Sequence, residues 1–382
     1  MISLALVLAC SGGDDSPSGS PTPTDSVHTT TDTADTSAPT ADTARPLTEV
    51  AASLAAPGPW GIGYRTVTVT WSDPLLTGGK PRELRTSLWY PTEDTDGDEA
   101  KYQDAFEAEG VWADASLVAG PHPVVVFSHG HQAYGEASGF LMEHLASHGW
   151  VVVAADHTGN LIFDGSDRDT EIYLQRPLDV SAVLDWLDAP TGDPLDGQLG
   201  DTRVALGHSF GGYTLHALGG ATYDPAVIAG CDDGTAFCST MTPALAERLA
   251  QGFAEPRLTL LVSMAPGDYR LFGDGLATVS LPVLMMSGGL DGASDDIEAH
   301  MVPTLNHPGD RWLHFPTFGH NGFTDFAGQL DPAGAEDPET GWATARGLVL
   351  AALRAEAEGF DAAPFLDGEV AVGSAPVEVR QP

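Results

Sequence analysis

A chain of 382 residues, 42% of them hydrophobic and 44 of them glycine, carries enough apolar material for a sizeable core and enough backbone freedom for many tight turns, which rules out disorder throughout. Its 16 Lys and Arg stand against 54 Asp and Glu, a formal charge of −38; a field of that sign repels phosphate backbones and anionic headgroups, so nucleic acid is not expected as a partner. The length admits one large domain with extensions.

The first ten residues, MISLALVLAC, form an apolar run ending in Leu8-Ala9-Cys10. The run is too short to span a bilayer. It resembles the lipobox at which bacterial lipoprotein precursors are cleaved ahead of a lipid-modified cysteine, although no Lys or Arg precedes it as in a usual signal sequence. Residues 1–10 are therefore read as a signal segment with Cys10 as its lipidation residue. From Ser11 to Arg45 the chain is almost entirely Ser, Thr, Asp, Pro, Gly and Ala, with Val27 its only large aliphatic residue. Such a stretch cannot bury a core, and residues 11–56 are read as a disordered tether. The expected location is extracytoplasmic, either anchored to the envelope membrane through Cys10 or secreted. In that setting Cys231 and Cys238 are a candidate disulfide, the alternative being two free thiols in a loop.

A folded domain is expected over 57–382. Alternating Tyr64 to Trp71 and the β-formers Leu84 to Tyr90 predict antiparallel edge strands. Short, nearly continuous apolar runs follow at Val124 to Phe127, Val151 to Ala155, Val204 to Leu206, Leu258 to Val262 and Val283 to Met286, the pattern of strands buried on both faces. Helical periods lie between them, as in Val180, Val183, Leu184 and Leu187. Strand and helix alternate, so the predicted fold class is α/β, a doubly wound, mostly parallel sheet. The stretch from Tyr223 to Pro256, with a predicted helix at Pro243 to Phe253, breaks the rhythm and is read as a small lid.

Ser209 stands in Gly207-His208-Ser209-Phe210-Gly211, between the strand Arg203 to Leu206 and a helix starting at Phe210. That is the strand, sharp turn and helix context of a nucleophile elbow, where glycines remove the Cβ atoms that would collide. A serine hydroxyl at neutral pH needs a histidine to accept its proton and a carboxylate to hold the imidazole tautomer. With this elbow the acid and then the histidine come later in the chain, which leaves His300, His307, His314 and His320. His320 is favoured because it sits in the glycine-flanked loop Phe318 to Gly322 just after the predicted strand Arg311 to Phe315. For the acid, Asp291 follows the strand Val283 to Met286, and Asp268 is its rival after the preceding strand. Asp295 and Asp296 read as the first turn of a helix. The oxyanion of a tetrahedral intermediate needs two N–H donors, assigned to Phe210 and His131. His129 and His131 have the His-x-His spacing of metal ligands, but no third ligand lies nearby, so no metal or other cofactor is expected.

The stretches Leu88-Trp89-Tyr90-Pro91, Pro123 to Gly130 (PVVVFSHG), Leu145 to Ala155 (LASHGWVVVAA), Gly207 to Gly212 (GHSFGG) and Gly319 to Phe326 (GHNGFTDF) resemble the bacterial relatives of the platelet-activating-factor acetylhydrolases within the α/β-hydrolase superfamily, over roughly Arg85 to Phe326. The resemblance implies a serine esterase with a metal-free Ser-Asp-His triad containing Ser209 and His320, and oxyanion donors at His131 and Phe210. In that family the aspartate follows the strand that here ends in Met264-Ala265-Pro266, where this chain has no acid before Asp268. Asp291 matches the later position of bacterial cutinases and polyester hydrolases, to which Tyr90-Pro91, the Leu145 region and GHSFGG are also similar. The expected partner is a small-molecule, lipid or polymer ester, with short- or medium-chain carboxylic esters such as phospholipid acetyl groups first and polyesters second. An alternative of another class is a non-catalytic surface binding protein on a hydrolase fold.

Overall fold

The computed structural model describes residues 45–164, 168–230 and 235–380. Among these, eleven strands form one mixed sheet: β1 (Gly61–Trp71), β2 (Arg82–Thr92), β3 (Glu99–Tyr102), β4 (Phe106–Ala113), β5 (His122–Ser128), β6 (Val151–Ala155), β7 (Leu199–His208), β8 (Leu260–Met264), β9 (Val283–Gly288), β10 (Arg311–Phe315) and β11 (Glu378–Arg380). The helices are α1 (Leu47–Ala55), α2 (Gly139–Ser147), α3 (Thr170–Asp188), α4 (Phe210–Leu218), α5 (Pro225–Ala229), α6 (Ala236–Thr240), α7 (Pro243–Ala250), α8 (Ser294–His300), α9 (Pro338–Glu358) and α10 (Ala363–Leu366). The strand order is β11-β10-β9-β8-β7-β5-β6-β2-β1-β4-β3. From β6 to β10 every pairing is parallel, while β2 runs antiparallel to β6 and to β1.

The continuous apolar runs are the central strands, and the period of two sorts their side chains between two cores. Val124, Val126, Val151, Val153 and Ala205 face one core, which α3 and α4 close with Val180, Val183, Leu184, Leu187 and Leu215. Val125, Phe127, Val152, Ala154, Val204 and Leu206 face the other, closed by Leu141 and Leu145 of α2, Leu348 and Val349 of α9, and Leu54 of α1. Burial of this kind stabilises by about 25 cal/mol per Å² of apolar surface. The parallel strands thus carry helices on both faces and turn all their C-terminal ends toward one edge, where ligands bind in open α/β sheets.

Three expectations need correction. The folded domain begins before Pro57, because α1 buries Val50, Ala51 and Leu54 and accepts bonds at its C-terminal end, from His144 Nε2 to Leu54 O (2.9 Å) and from Arg346 Nε to Ala55 O (3.0 Å). Folded structure is thus present from Leu47, inside the stretch expected to be a tether, and residues 1–44, Cys10 included, lie outside the described residues. Second, β1 and β2 are antiparallel but do not form the edge. The hairpin of β3 and β4 pairs outside β1, and its charged Glu99, Lys101, Glu107 and Glu109 suit an exposed edge. Third, the strand expected at Leu258 to Val262 starts at Leu260.

The insertion between Tyr223 and Pro256 consists of α5, α6 and α7, short helices capped by Asp224, Thr235 and Thr242. Leu245, Leu249 and Phe253 anchor it in the first core. Cys238 is disulfide-bonded, and Cys231, its expected partner, lies outside the described residues.

Candidate active site

Strand β7 ends at His208 and α4 begins at Phe210, so Ser209 alone makes the turn, with φ 55° and ψ −118°. A non-glycine residue there stores about 1–3 kcal/mol of strain, which the surroundings must over-determine. They do so with three backbone bonds: Ser209 N–H to Met264 O (3.0 Å), and Gly212 and Gly267 N–H to Ser209 O (2.8 Å each). The motif glycines are required by contact. A Cβ on Gly207 would come within 2.7 Å of the Gly211 carbonyl carbon, one on Gly212 within 2.6 Å of Pro266 Cβ, and one on Gly211 would overlap Ser128 O.

The C-terminal ends of β9 and β10 bring two other groups to this serine. Ser209 Oγ lies 2.9 Å from His320 Nε2, and His320 Nδ1 lies 2.8 Å from Asp291 Oδ2. The loops that carry them are tied together, since Gly289 and Leu290 donate to the carbonyls of Phe315 and Phe318 (2.8 Å each). Burial opposes the charge on Asp291, but the His320 hydrogen bond and the Ala293 N–H outweigh it and hold the carboxyl below its usual range. His208, whose ring lies 5.0 Å from that of His320, donates from Nε2 to the His320 carbonyl (2.8 Å). Burial and the neighbouring His320 push its pKa down to about 3, so it stays a neutral donor.

The other candidates are placed elsewhere. Asp268 adopts a left-handed conformation (φ 54°) that turns its carboxylate to Arg168 and to the Tyr173 hydroxyl (3.1 Å) of α3, away from His320. His314 is buried in β10 and bonds Ser287 Oγ (3.0 Å); His300 is exposed on α8. Asp296 is in the first turn of α8, paired with Arg270. Phe210 heads α4, where a first-turn N–H has no partner within the helix. Gly267 lies against the same peptide, its Cβ position 3.6 Å from Phe210 N. His131 sits across, its ring 6.3 Å from that of Phe210. Three ring nitrogens of the His-x-His pair are engaged by protein: His129 bonds Gly130 O (2.7 Å) and His157 N–H (3.0 Å), and His131 Nδ1 accepts from Asn160 Nδ2 (2.9 Å). Among the described residues no three His, Cys, Asp or Glu are grouped to hold a metal.

Residues 100–249 match the profile of the family described as Chlorophyllase, a span that includes Ser209 and the loop 128–131 and stops before Asp291 and His320. No curated protein matches significantly. Among solved structures, the ferulic acid esterase from Streptomyces cinnamoneus superposes with a TM-score of 0.56 at 20% identity, covering 86% of this chain and 99% of that one. The chain has the α/β-hydrolase fold.

Next to this serine lies a cavity of about 860 Å³ between the insertion and the segment 266–271, with His131 and Gly267 on its wall beside the site and Tyr173, Phe237, Tyr269 and Val227 among its apolar lining. Its lining reaches the two residues flanking the candidate oxyanion position and stops short of Ser209. Sequence reading missed the polar residues behind the site: Ser128, His157, Asn160, Arg176 and Asp179. One signal was present for Arg176, which continues the apolar stripe of Val180, Val183 and Leu187 by one turn toward the helix start, where a charged residue on the buried face demands partners.

Proposed function

We propose that this α/β-hydrolase is a serine carboxylic-ester hydrolase in which Ser209 is the nucleophile, His320 the general base and then acid, and Asp291 the residue that orients it. Ester hydrolysis as a class is supported by the Chlorophyllase-family match and the esterase neighbour. The observation that carries the residue roles is the unbroken chain Ser209 Oγ, His320 Nε2, His320 Nδ1, Asp291 Oδ2 beginning at a strained elbow. His320 Nε2 takes the Oγ proton as Ser209 attacks the ester carbonyl, and the N–H groups of Phe210 and His131 receive the oxyanion. Collapse of the intermediate breaks the bond to the alcohol oxygen, which leaves with the proton from His320. Water, deprotonated by the same histidine, then releases the acid and restores Ser209.

The first substrate reading is a short- or medium-chain ester such as a phospholipid acetyl group. A second reading, a cutinase-like polyester hydrolase, is favoured by a partly exposed aromatic row that includes residues shortly after His131 and His320. Phe106 and Phe163, 53% and 66% exposed, both stack with Tyr134, ring centroids 6.4 and 6.5 Å away, and Phe326 meets Tyr134 edge-on at 6.0 Å. Tyr134 follows His131 by three residues and Phe326 follows His320 by six. The aqueous surroundings are proposed to be extracytoplasmic, with attachment through lipidated Cys10 or secretion; no helix of the described residues is long and apolar enough to cross a membrane.

Activity-based labelling tests the reading. The full chain should react with a fluorophosphonate at Ser209 and hydrolyse p-nitrophenyl esters, and the substrate readings separate when acetate to palmitate esters, an acetyl phospholipid and a polyester film are compared. A wild-type protein that neither labels nor turns over any of these esters is the binding protein of the alternative reading.

A further inference from the structure

Behind the loop Ser128 to His131 runs a second Ser-His-Asp chain. Ser128 Oγ lies 2.9 Å from His157 Nε2, and His157 Nδ1 lies 2.9 Å from Asp179 Oδ2. All three side chains are buried, and Asp179 also takes the fork of Arg82 (2.8 and 2.9 Å) and the Trp71 indole N–H (2.7 Å). No ester reaches this serine. Its hydroxyl accepts from Arg176 Nη2 (3.1 Å), which leaves its proton for His157 Nε2 and the His157 Nδ1 proton for Asp179.

Arg176 is the unusual member. It is fully buried, yet among the described residues no carboxylate touches it. Its donors end on neutral oxygens instead: Nε on Thr214 Oγ1 (3.1 Å), Nη1 on Asn160 Oδ1 (2.9 Å), and Nη2 on Ser128 Oγ and on the His129 carbonyl. Its guanidinium lies 4.6 Å from the centroid of the Phe210 ring. A buried cation is expensive unless its donors are satisfied, and the carboxylates that act on this one, Asp179 and Asp268, do so through space and not in contact. Each partner belongs to a segment that carries, or touches, a candidate oxyanion donor. Ser128 and His129 lead into His131. Asn160 donates to His131 Nδ1 and accepts Gln132 N–H at its carbonyl (3.2 Å). Thr214 and Phe210 belong to the first turns of α4.

We propose that Arg176 is a positioning residue for ester hydrolysis: a buried cation that clamps the His131 loop to the start of α4, so that the two backbone N–H groups are aimed at the oxyanion before substrate arrives and the clamp's charge favours the negative charge that develops there. The inference rests on Ser209 being the nucleophile. Preorganised donors act without reorganising during the reaction, and loss of a single one lowers kcat by about 10²- to 10³-fold. The chain Ser128-His157-Asp179 holds the guanidinium's partner hydroxyl in one orientation.

The test compares the full-length wild type with Arg176→Lys, Arg176→Met and Thr214→Val. Active sites are first titrated with a fluorophosphonate, and kcat and KM are then expressed per titrated site. Affinity is measured for a trifluoromethyl ketone, whose serine adduct places an oxyanion in the hole, and for the matching alcohol, which forms none. Arg176→Met should lower per-site kcat and weaken the ketone in step by about 100-fold, leaving KM and the alcohol within about 3-fold. Arg176→Lys and Thr214→Val should show the same pattern at about 10-fold, and they carry the test if the Met variant does not fold. Unchanged per-site kcat and ketone affinity, whatever the loss in melting temperature or in titratable sites, would reduce Arg176 to a purely structural residue. A wild type that does not titrate at Ser209 would instead overturn the nucleophile assignment.

Discussion

Two hydrogen-bonded Ser-His-Asp chains occur within one domain, and they differ in everything except their bonding. In the first, the His320 side chain is 39% exposed over an Asp291 that is 5% exposed, and Ser209 is held at a positive φ at the strand-to-helix turn. In the second, His157 and Asp179 are both 0% exposed, and Ser128 ends the regular strand β5. Residue types at hydrogen-bond distance therefore do not make a nucleophile. Access for a carbonyl, donors where its oxygen will lie and an imidazole free to take a proton are also needed. Burial and Arg176 push the His157 pKa down to about 4, which suits a fixed neutral linker and not a base.

The largest contrast expected is between the two serines. Ser209→Ala should lower kcat by on the order of 10⁶-fold with the fold intact, whereas Ser128→Ala should still react with a fluorophosphonate at Ser209. Mass-spectrometric mapping of the label checks this, and a label on Ser128 would break the distinction. Among the acids, Asp291→Asn should cost about 10⁴-fold in kcat on a chromogenic ester, while Asp268→Asn should keep the triad's chemistry because its carboxylate serves Arg168 and Tyr173. A large loss in the Asp268 variant alone would reverse the assignment.

The buried chain is sharpened by stability. Asp179→Asn strips the nearly buried Arg82 of its counter-ion, and breaking such a pair costs about 3–5 kcal/mol. Denaturant unfolding should show a lower midpoint at unchanged slope. A smaller effect is expected from pH. His157 and His216 are pushed down to about 4, and His144 and His208 to about 3, in each case first by burial. Their folded values lie below the ordinary 6.5, so the unfolded chain binds more protons in that window, and the stability of these neutral rings is present above about 6.5 and lost as pH falls toward 4 and 3. Thermal melts from pH 7.5 to 4 should decline below about 6.5, and His216→Phe, which removes a buried ring with no partner for either nitrogen among the described residues, should flatten part of that decline. An unchanged slope in the variant would count against the assignment to buried histidines.

Much of the scaffold was legible because its signals are local. Continuous apolar runs marked the strands buried on both faces, the 3.6-residue period marked α3, and the glycines around Ser209 marked a turn that admits no Cβ. The position of His320 followed from a strand end and flanking glycines. The hairpin of β3 and β4 was not legible, since its strands are short and polar and gain their place only by pairing beside β1. Nor was α1, whose three buried residues show a helical face only when α9 is there to cover it.

The sequence by itself determined which chemistry was available: a serine at an elbow, a histidine after a later strand, two acids after buried strands, and a strongly acidic surface. Local pattern reaches that far because turns, strands and helix starts are decided by neighbours along the chain. Only the tertiary structure brings one of the two acids against His320. Asp268 and Asp291 each follow a buried strand, and Asp268 is turned from His320 by a left-handed backbone and by Arg168 and Tyr173, which approach it from about a hundred residues earlier in the chain. The same holds for Arg176, whose partners on β5, α4 and the loop after β6 meet only when the sheet closes, because a buried charge is tolerable only once every donor has found its oxygen.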